Sequence, residues 1–93
     1  MHVAVHTFYL SVPACGSRKE KRMVVKSLRQ RLRNRFNVTV AETGALESLA
    51  RAELTVAVVG GDRGVLEGVL DRVDRFVEED RRVLISSVRR EFR

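Results

Sequence analysis

Cysteine, proline and aromatic residues are scarce in this sequence of 93 residues, which has one Cys, one Pro, one Tyr and no Trp. The lone Cys15 excludes an internal disulfide framework and any metal site built from cysteines alone. The longest apolar run, residues 54–59, is too short to cross a bilayer, and no basic and then apolar signal segment opens the chain. We therefore expect a cytoplasmic protein that forms a single domain over residues 1–93 and uses no membrane.

Motifs that carry catalysis are also missing. The sequence has no nucleophile elbow, Walker loop, HExxH or GxGxxG motif, and no Cys/His group at metal-ligand spacing. His6 alternates with Phe8 and Leu10 on one strand face, so we expect it to be a partly buried structural histidine. These observations predict a protein that is not an enzyme and binds neither a cofactor nor a metal ion.

Positive charge is what the sequence has in excess. Its 18 Lys and Arg residues against 12 Asp and Glu give a net charge of +6. Residues 17–36 hold nine of those cations and a single carboxylate, a local net charge of +8. Such clustering creates a local positive field and indicates a polyanionic partner.

The hydrophobic periodicity predicts six elements in the order βαββαβ. Strands are expected at 2–12, 38–41, 54–59 and 83–88, because these segments alternate or are rich in β-branched residues. The first helix should begin with a capping box in which the Ser17 hydroxyl accepts from the Glu20 amide and the Glu20 carboxylate accepts from the Ser17 amide. Asp62 should cap the second helix, which ends near residue 80. The order predicts an α+β fold, the ferredoxin-like sandwich with a four-stranded antiparallel sheet and two helices on one face.

One face of that sheet would have no helices on it. The first and third strands place Val3, Val5 and Tyr9 beside Ala57 and Val59 on this face, which we expect to be apolar. These five residues are therefore the candidate interface for a homodimer.

A row of cations follows one side of the first helix. Spacings of three, four, three and four residues bring them onto a single side of the helix, at an energetic cost from like-charge repulsion. Arginine and lysine side chains in such a row suit the phosphates of a nucleic acid. We call this row the basic ridge; its members are Lys19, Arg22, Lys26, Arg29 and Arg33.

Other charged residues determine whether the basic ridge would be exposed to solvent. The second helix has an acidic ridge of its own, Glu67, Asp71, Asp74 and Glu78. We expect the two helices to run parallel, with both ridges on the same rotational side, so that they do not face each other. The basic ridge would then be exposed or would meet the acidic ridge of a second molecule. The cations that could widen the basic ridge are Arg18, Lys21, Arg31 and Arg35.

Residues 17–22, SRKEKR, and residues 33–42, RNRFNVTVAE, resemble the corresponding segments of the YlxP-like family, a small bacterial family of unknown function. Arg18 stands where that family usually has Leu. The resemblance implies a cytosolic protein of ferredoxin-like fold, without established catalytic activity and often encoded near genes for translation and ribosome maturation. It favours RNA, and ribosomal RNA in particular, as the polyanionic partner. The alternative is an assembly module that forms homodimers or binds proteins without nucleic acid.

Overall fold

The computed structural model describes residues 1–13 and 16–93. It contains the six expected elements in the expected order. The turn predicted at residues 13–16 includes Ala14 and Cys15, which lie outside the described residues. The strands and helices are β1 (His2–Ser11), α1 (Arg18–Arg35), β2 (Thr39–Gly44), β3 (Arg51–Gly60), α2 (Arg63–Glu78) and β4 (Leu84–Phe92).

All four strands belong to one sheet, in the order β2-β3-β1-β4. Each neighbouring pair is antiparallel. The buried faces of both helices join the same hydrophobic core against one side of this sheet, with Phe8, Leu32, Leu54 and Leu70 fully buried at its centre. The chain therefore has the α+β ferredoxin-like arrangement that the sequence predicts.

Both helices begin at the predicted caps. Ser17 Oγ accepts from the Glu20 amide at 3.2 Å, and Asp62 Oδ1 accepts from the Val65 amide at 3.1 Å. The Glu20 carboxylate, however, accepts from the amide of Gly16 at 2.9 Å and not from that of Ser17. The capping box thus closes one residue earlier than predicted, and it still satisfies a backbone donor at the start of α1.

The two helices run antiparallel, which corrects the parallel arrangement expected from the sequence. The side-chain contacts show this direction, because residues at the end of α1 contact α2 and earlier residues of α1 contact the segment that follows α2. Phe36 meets Phe76 with ring centroids 5.8 Å apart, Arg31 meets Asp80 at 3.5 Å, and Ser27 meets Arg82 at 3.3 Å. Strand directions require the same result, because β1 and β3 are antiparallel and each precedes one helix.

This correction places the two ridges on opposite flanks of the helix layer. Each ridge lies on the same rotational side of its own helix, and equivalent sides of two antiparallel helices face either both inward or both outward. Here both face outward, because Arg33 donates to β2 and Arg90 of β4 donates to two carboxylates of the acidic ridge. The basic ridge consequently lies along the flank of α1 that faces β2, and the acidic ridge lies along the flank of α2 that faces β4.

Candidate nucleic-acid interface

The basic ridge lies on the outer flank of α1, beside the edge strand β2. Arg33 fixes this placement, because its Nη2 donates to the Val40 carbonyl of β2 at 2.8 Å. The ridge spans 15 residues from Lys19 to Arg33, a length of about 21 Å at a rise of 1.5 Å per helical residue. One strand of a duplex presents a phosphate about every 3.4 Å of axis, so the ridge is long enough for about six phosphates.

The charge of the basic ridge is not neutralised within the described part of the molecule. None of its five side chains forms an ion pair with a carboxylate there. The ion pairs that do involve α1 belong to other residues, Arg18 with Glu47 at 3.4 Å and Arg31 with Asp80 at 3.5 Å. The ridge therefore has no direct carboxylate partner among the described residues, although Arg22 lines a cleft that also contains Glu42 and Glu47.

The five cations are not equally free to bind a ligand. Lys19, Arg22 and Lys26 are exposed. Arg29 is half-buried, and its Nε is enclosed without a hydrogen-bond partner among the described residues. Arg33 already uses one donor on β2 but is otherwise exposed. The three unrestricted side chains lie in the first half of α1, and the helix dipole adds positive potential at Lys19 in the first turn.

Lys21 does not widen the basic ridge, as the sequence suggested it could. Its side chain is buried, with 4% of its surface exposed. The ammonium group donates to the carbonyl oxygens of Ala45 and Ser48 at 2.6 and 2.5 Å. Lys21 therefore holds the loop between β2 and β3, in which Ala45 has a positive φ of 57°. Sequence spacing could not show this, because the loop reaches Lys21 only in the folded chain.

The other three candidate cations have different environments. Arg18 makes an exposed ion pair with Glu47 that water and salt weaken. Arg31 is bound to Asp80 and also lies over the Phe76 ring at 5.2 Å from its centroid. Arg35 is exposed at the end of α1. It faces away from the basic ridge, toward a groove between the two helices.

The acidic ridge is partly neutralised by arginines of the same chain. Arg90, on β4, donates from Nη1 to Asp71 Oδ1 and from Nη2 to Asp74 Oδ2, both at 3.1 Å. Glu67 pairs with Arg63 at 3.3 Å. The acidic ridge thus serves largely to attach α2 to β4.

His6 joins this cluster from the sheet and was not connected with it by the sequence pattern. The side chain is 1% exposed. Its Nε2 donates to Asp74 Oδ1 at 2.7 Å, and its Nδ1 accepts from Arg90 Nε at 3.2 Å. A ring nitrogen that accepts from a guanidinium is unprotonated, so the imidazole is neutral. Burial lowers the pKa of His6, against the opposing effect of its hydrogen bond to Asp74.

The uncovered sheet face carries polar groups between the candidate interface residues. Four of the five candidate interface residues form one patch, because Val3 lies opposite Val59 and Val5 lies opposite Ala57. Tyr9 is separated from them by the intervening pair Thr7 and Thr55, whose hydroxyl oxygens are 3.1 Å apart. On the β4 side of this face Glu91 pairs with Arg89 at 2.8 Å and with Arg93 at 2.9 Å. Polar groups therefore divide the face.

Residues 1–13 and 16–93 contain no group of three or more His, Cys, Asp or Glu side chains placed to hold a metal ion. No helix in the described part of the chain is both long and apolar enough to cross a membrane.

Comparison with known proteins finds similarity to uncharacterised ones. The model of a family described as "Protein of unknown function (DUF503)" matches residues 3–90. The "Uncharacterized protein YlxP" of Bacillus subtilis (strain 168) is 38% identical over 63 residues, which are 68% of this chain and 68% of that protein. The similarity extends over most of the chain and agrees with the resemblance noted in residues 17–22 and 33–42.

Proposed function

The chain belongs to the DUF503 family of proteins of unknown function, and we propose that it is a non-enzymatic, RNA-associated accessory protein of the cytoplasm. In this proposal the basic ridge binds RNA phosphates. We also propose a role in ribosome maturation or translation, which the family resemblance supports.

The observation that carries the proposal is that no side chain of the basic ridge forms an ion pair with a carboxylate in the described part of the chain. The four consecutive pairs of like charges on the ridge repel one another by a few tenths of a kcal/mol each, about 1 to 2 kcal/mol in total. The acidic ridge could have relieved this repulsion, but the fold places it on the other flank of the helix layer. A polyanion bound to the ridge would remove the repulsion.

Phosphate binding by this ridge should be insensitive to sequence and sensitive to salt. Three unrestricted cations set the lower limit of neutralised phosphates, and all five set the upper limit. The slope of log K against log salt should then lie between about −2 and −3.5 on single-stranded RNA, or about −2.7 and −4.5 on a duplex.

The test is fluorescence anisotropy with labelled single-stranded and duplex RNA at several salt concentrations. Arg22→Glu should weaken binding and make the slope less negative. Arg81→Glu is the matched control, because Arg81 is also an exposed arginine and lies off the ridge. A slope near zero, or equal losses in the two variants, would contradict the proposal.

Pull-down from native lysate with and without nuclease addresses the ribosomal part of the proposal. Recovery of ribosomal RNA that is lost on digestion supports it. Recovery of the same partner proteins after digestion favours the assembly module.

A second candidate function, homodimerisation without nucleic acid, is favoured by the patch of Val3, Val5, Ala57 and Val59. Val59 is 63% exposed, and the described helices lie on the other side of the sheet. Val59→Arg should abolish a dimer that uses this patch without disturbing the core. Light scattering over a range of concentrations measures the mass, and a wild-type protein that stays monomeric would contradict this candidate.

A further inference from the structure

A groove lies between the end of α1, the end of β3 and the side of α2 that faces them. Because the helices are antiparallel and Phe36 packs on Phe76 near the end of α2, the first turns of α2 have no helix beside them. The groove has a volume of about 690 Å³. Its floor consists of Val58, Val69 and the two phenylalanines, all half-buried, and Val65 at its margin is 62% exposed.

Three arginines surround this apolar floor. Arg35 comes from α1, and Arg72 and Arg75 come from α2. All three are exposed, and none forms an ion pair within the described residues. Glu79 is the single carboxylate among the lining residues, so the groove has a net charge of +2. A ligand that fits it must bring apolar groups for the floor and negative charge for the rim.

The floor does not suit nucleobases, although its charge would attract RNA. Base recognition on such a surface depends on stacking against aromatic faces. The Phe36 and Phe76 rings meet edge to face at 90°, and the guanidinium of Arg31 lies over Phe76. The rest of the floor consists of valine side chains, which fit aliphatic or aromatic side chains of a protein better than they stack bases.

We propose that the groove binds an acidic amphipathic peptide segment of a partner protein. Large apolar side chains of the segment pack on Val65 and Val69, and its carboxylates pair with Arg72 and Arg75. An amphipathic helix that docks into a groove of this kind presents its anchor residues at spacings of three and four.

This groove and the basic ridge lie on opposite sides of α1. The peptide and a polyanion on the ridge therefore do not compete for the same side chains. Lys26→Glu alters the ridge alone, and Arg72→Glu alters the groove alone. Failure of the peptide proposal can thus be distinguished from failure of the RNA proposal.

The experiment begins with selection of a phage-displayed library of random 16-residue peptides against the whole protein. Enriched sequences should combine several Asp or Glu residues with Leu, Ile or Phe at helical spacing. The strongest sequence, as a labelled synthetic peptide, should shift the backbone amide resonances of Val65, Val69 and Arg72 in ¹H–¹⁵N spectra. No enrichment, or enrichment of neutral or basic sequences, would overturn the proposal.

Reversing the charge of Arg72 and of the acidic residues of the peptide tests whether the two pair with each other. Arg72→Glu should weaken binding of the peptide at least tenfold, and a peptide with its acidic residues changed to Lys should recover affinity for this variant. Lys26→Glu should bind the original peptide as the wild type does. Equal binding by wild type and Arg72→Glu would overturn the proposal. Two other results would also overturn it: a uridine dodecamer that shifts the groove amides while the peptide does not, and self-association of the protein that Arg72→Glu abolishes.

Discussion

Lys26→Glu should make the protein more stable and at the same time weaken its binding to RNA. Lys26 is exposed in the middle of α1, with Arg22 four residues before it and Arg29 three residues after it. Lys and Glu have similar helix propensities, and a central position is far from both ends of the helix dipole. The change therefore acts almost entirely through the two neighbouring arginines.

The size of the gain follows from these two pairs. Each repulsive pair that is removed contributes about 0.2 to 0.5 kcal/mol, and each attractive pair that replaces it contributes a similar amount. The free energy of unfolding should rise by about 0.8 to 2 kcal/mol at low salt. For a domain of this size each kcal/mol corresponds to about 4 to 8 °C in Tm. Lys26→Gln removes the repulsion without adding attraction and should give about half the gain.

Urea unfolding at low and high salt measures the stability, and anisotropy with single-stranded RNA measures the binding. The gain should nearly disappear at about 1 M salt, where the Debye length is about 3 Å. The magnitude of the salt slope for RNA should fall by about 0.7 or more, corresponding to at least one phosphate contact. A variant no more stable than the wild type would refute the inference that the ridge repels itself. A more stable variant with unchanged RNA binding would refute the assignment of the ridge to RNA.

Three further predictions concern the rest of the fold. Lys21→Met should lower the free energy of unfolding by about 1 to 3 kcal/mol, because it leaves two loop carbonyls without their donor. The backbone amides of residues 45–50 should then exchange faster in hydrogen-exchange measurements. Unchanged exchange would contradict the role of Lys21 in holding this loop. The free energy of unfolding should decrease as pH falls below about 6.5, because unfolded His6 takes up a proton there while the folded residue, with its lowered pKa, remains neutral. Urea titrations at several pH values check this, and His6→Gln should reduce the dependence. Gly60→Ala should lower the free energy of unfolding by about 1 to 3 kcal/mol, because the added Cβ would lie 2.9 Å from Cδ2 of the buried Leu66. A variant with the same Tm as the wild type would contradict this prediction.

The fold could be predicted because its local signals agree with its tertiary structure. Caps at Ser17 and Asp62 set the starts of both helices, and alternation in β1 places Ala4, Phe8 and Leu10 on the buried face. The ends of the strands were harder to predict from the sequence. β4 continues to Phe92 through charged residues, because Arg90 on its buried side is neutralised by α2, and the sequence pattern does not show that partner.

The candidate site was predictable to the extent that it depends on one helix. Spacing alone places the five cations of the basic ridge on one side of α1, and their role in binding RNA stays a prediction. Contacts between elements were beyond such reasoning. The buried ammonium of Lys21, the use of Arg33 on β2 and the arginines around the interhelical groove all depend on which element lies next to which. The antiparallel direction of the helices, opposite to that expected from the sequence, determines these neighbours.

Arg33 also affects how the sheet ends. β2 and β4 are the two outer strands, and an outer strand can pair through its free backbone groups with a strand of another molecule. A guanidinium held against the Val40 carbonyl places a positive charge on one border, and the row of Arg89, Glu91 and Arg93 places charges near the other. If the outer strand of another molecule paired with either border, these charged side chains would lose contact with water. We therefore expect the protein to form no strand-mediated aggregates in concentrated solution.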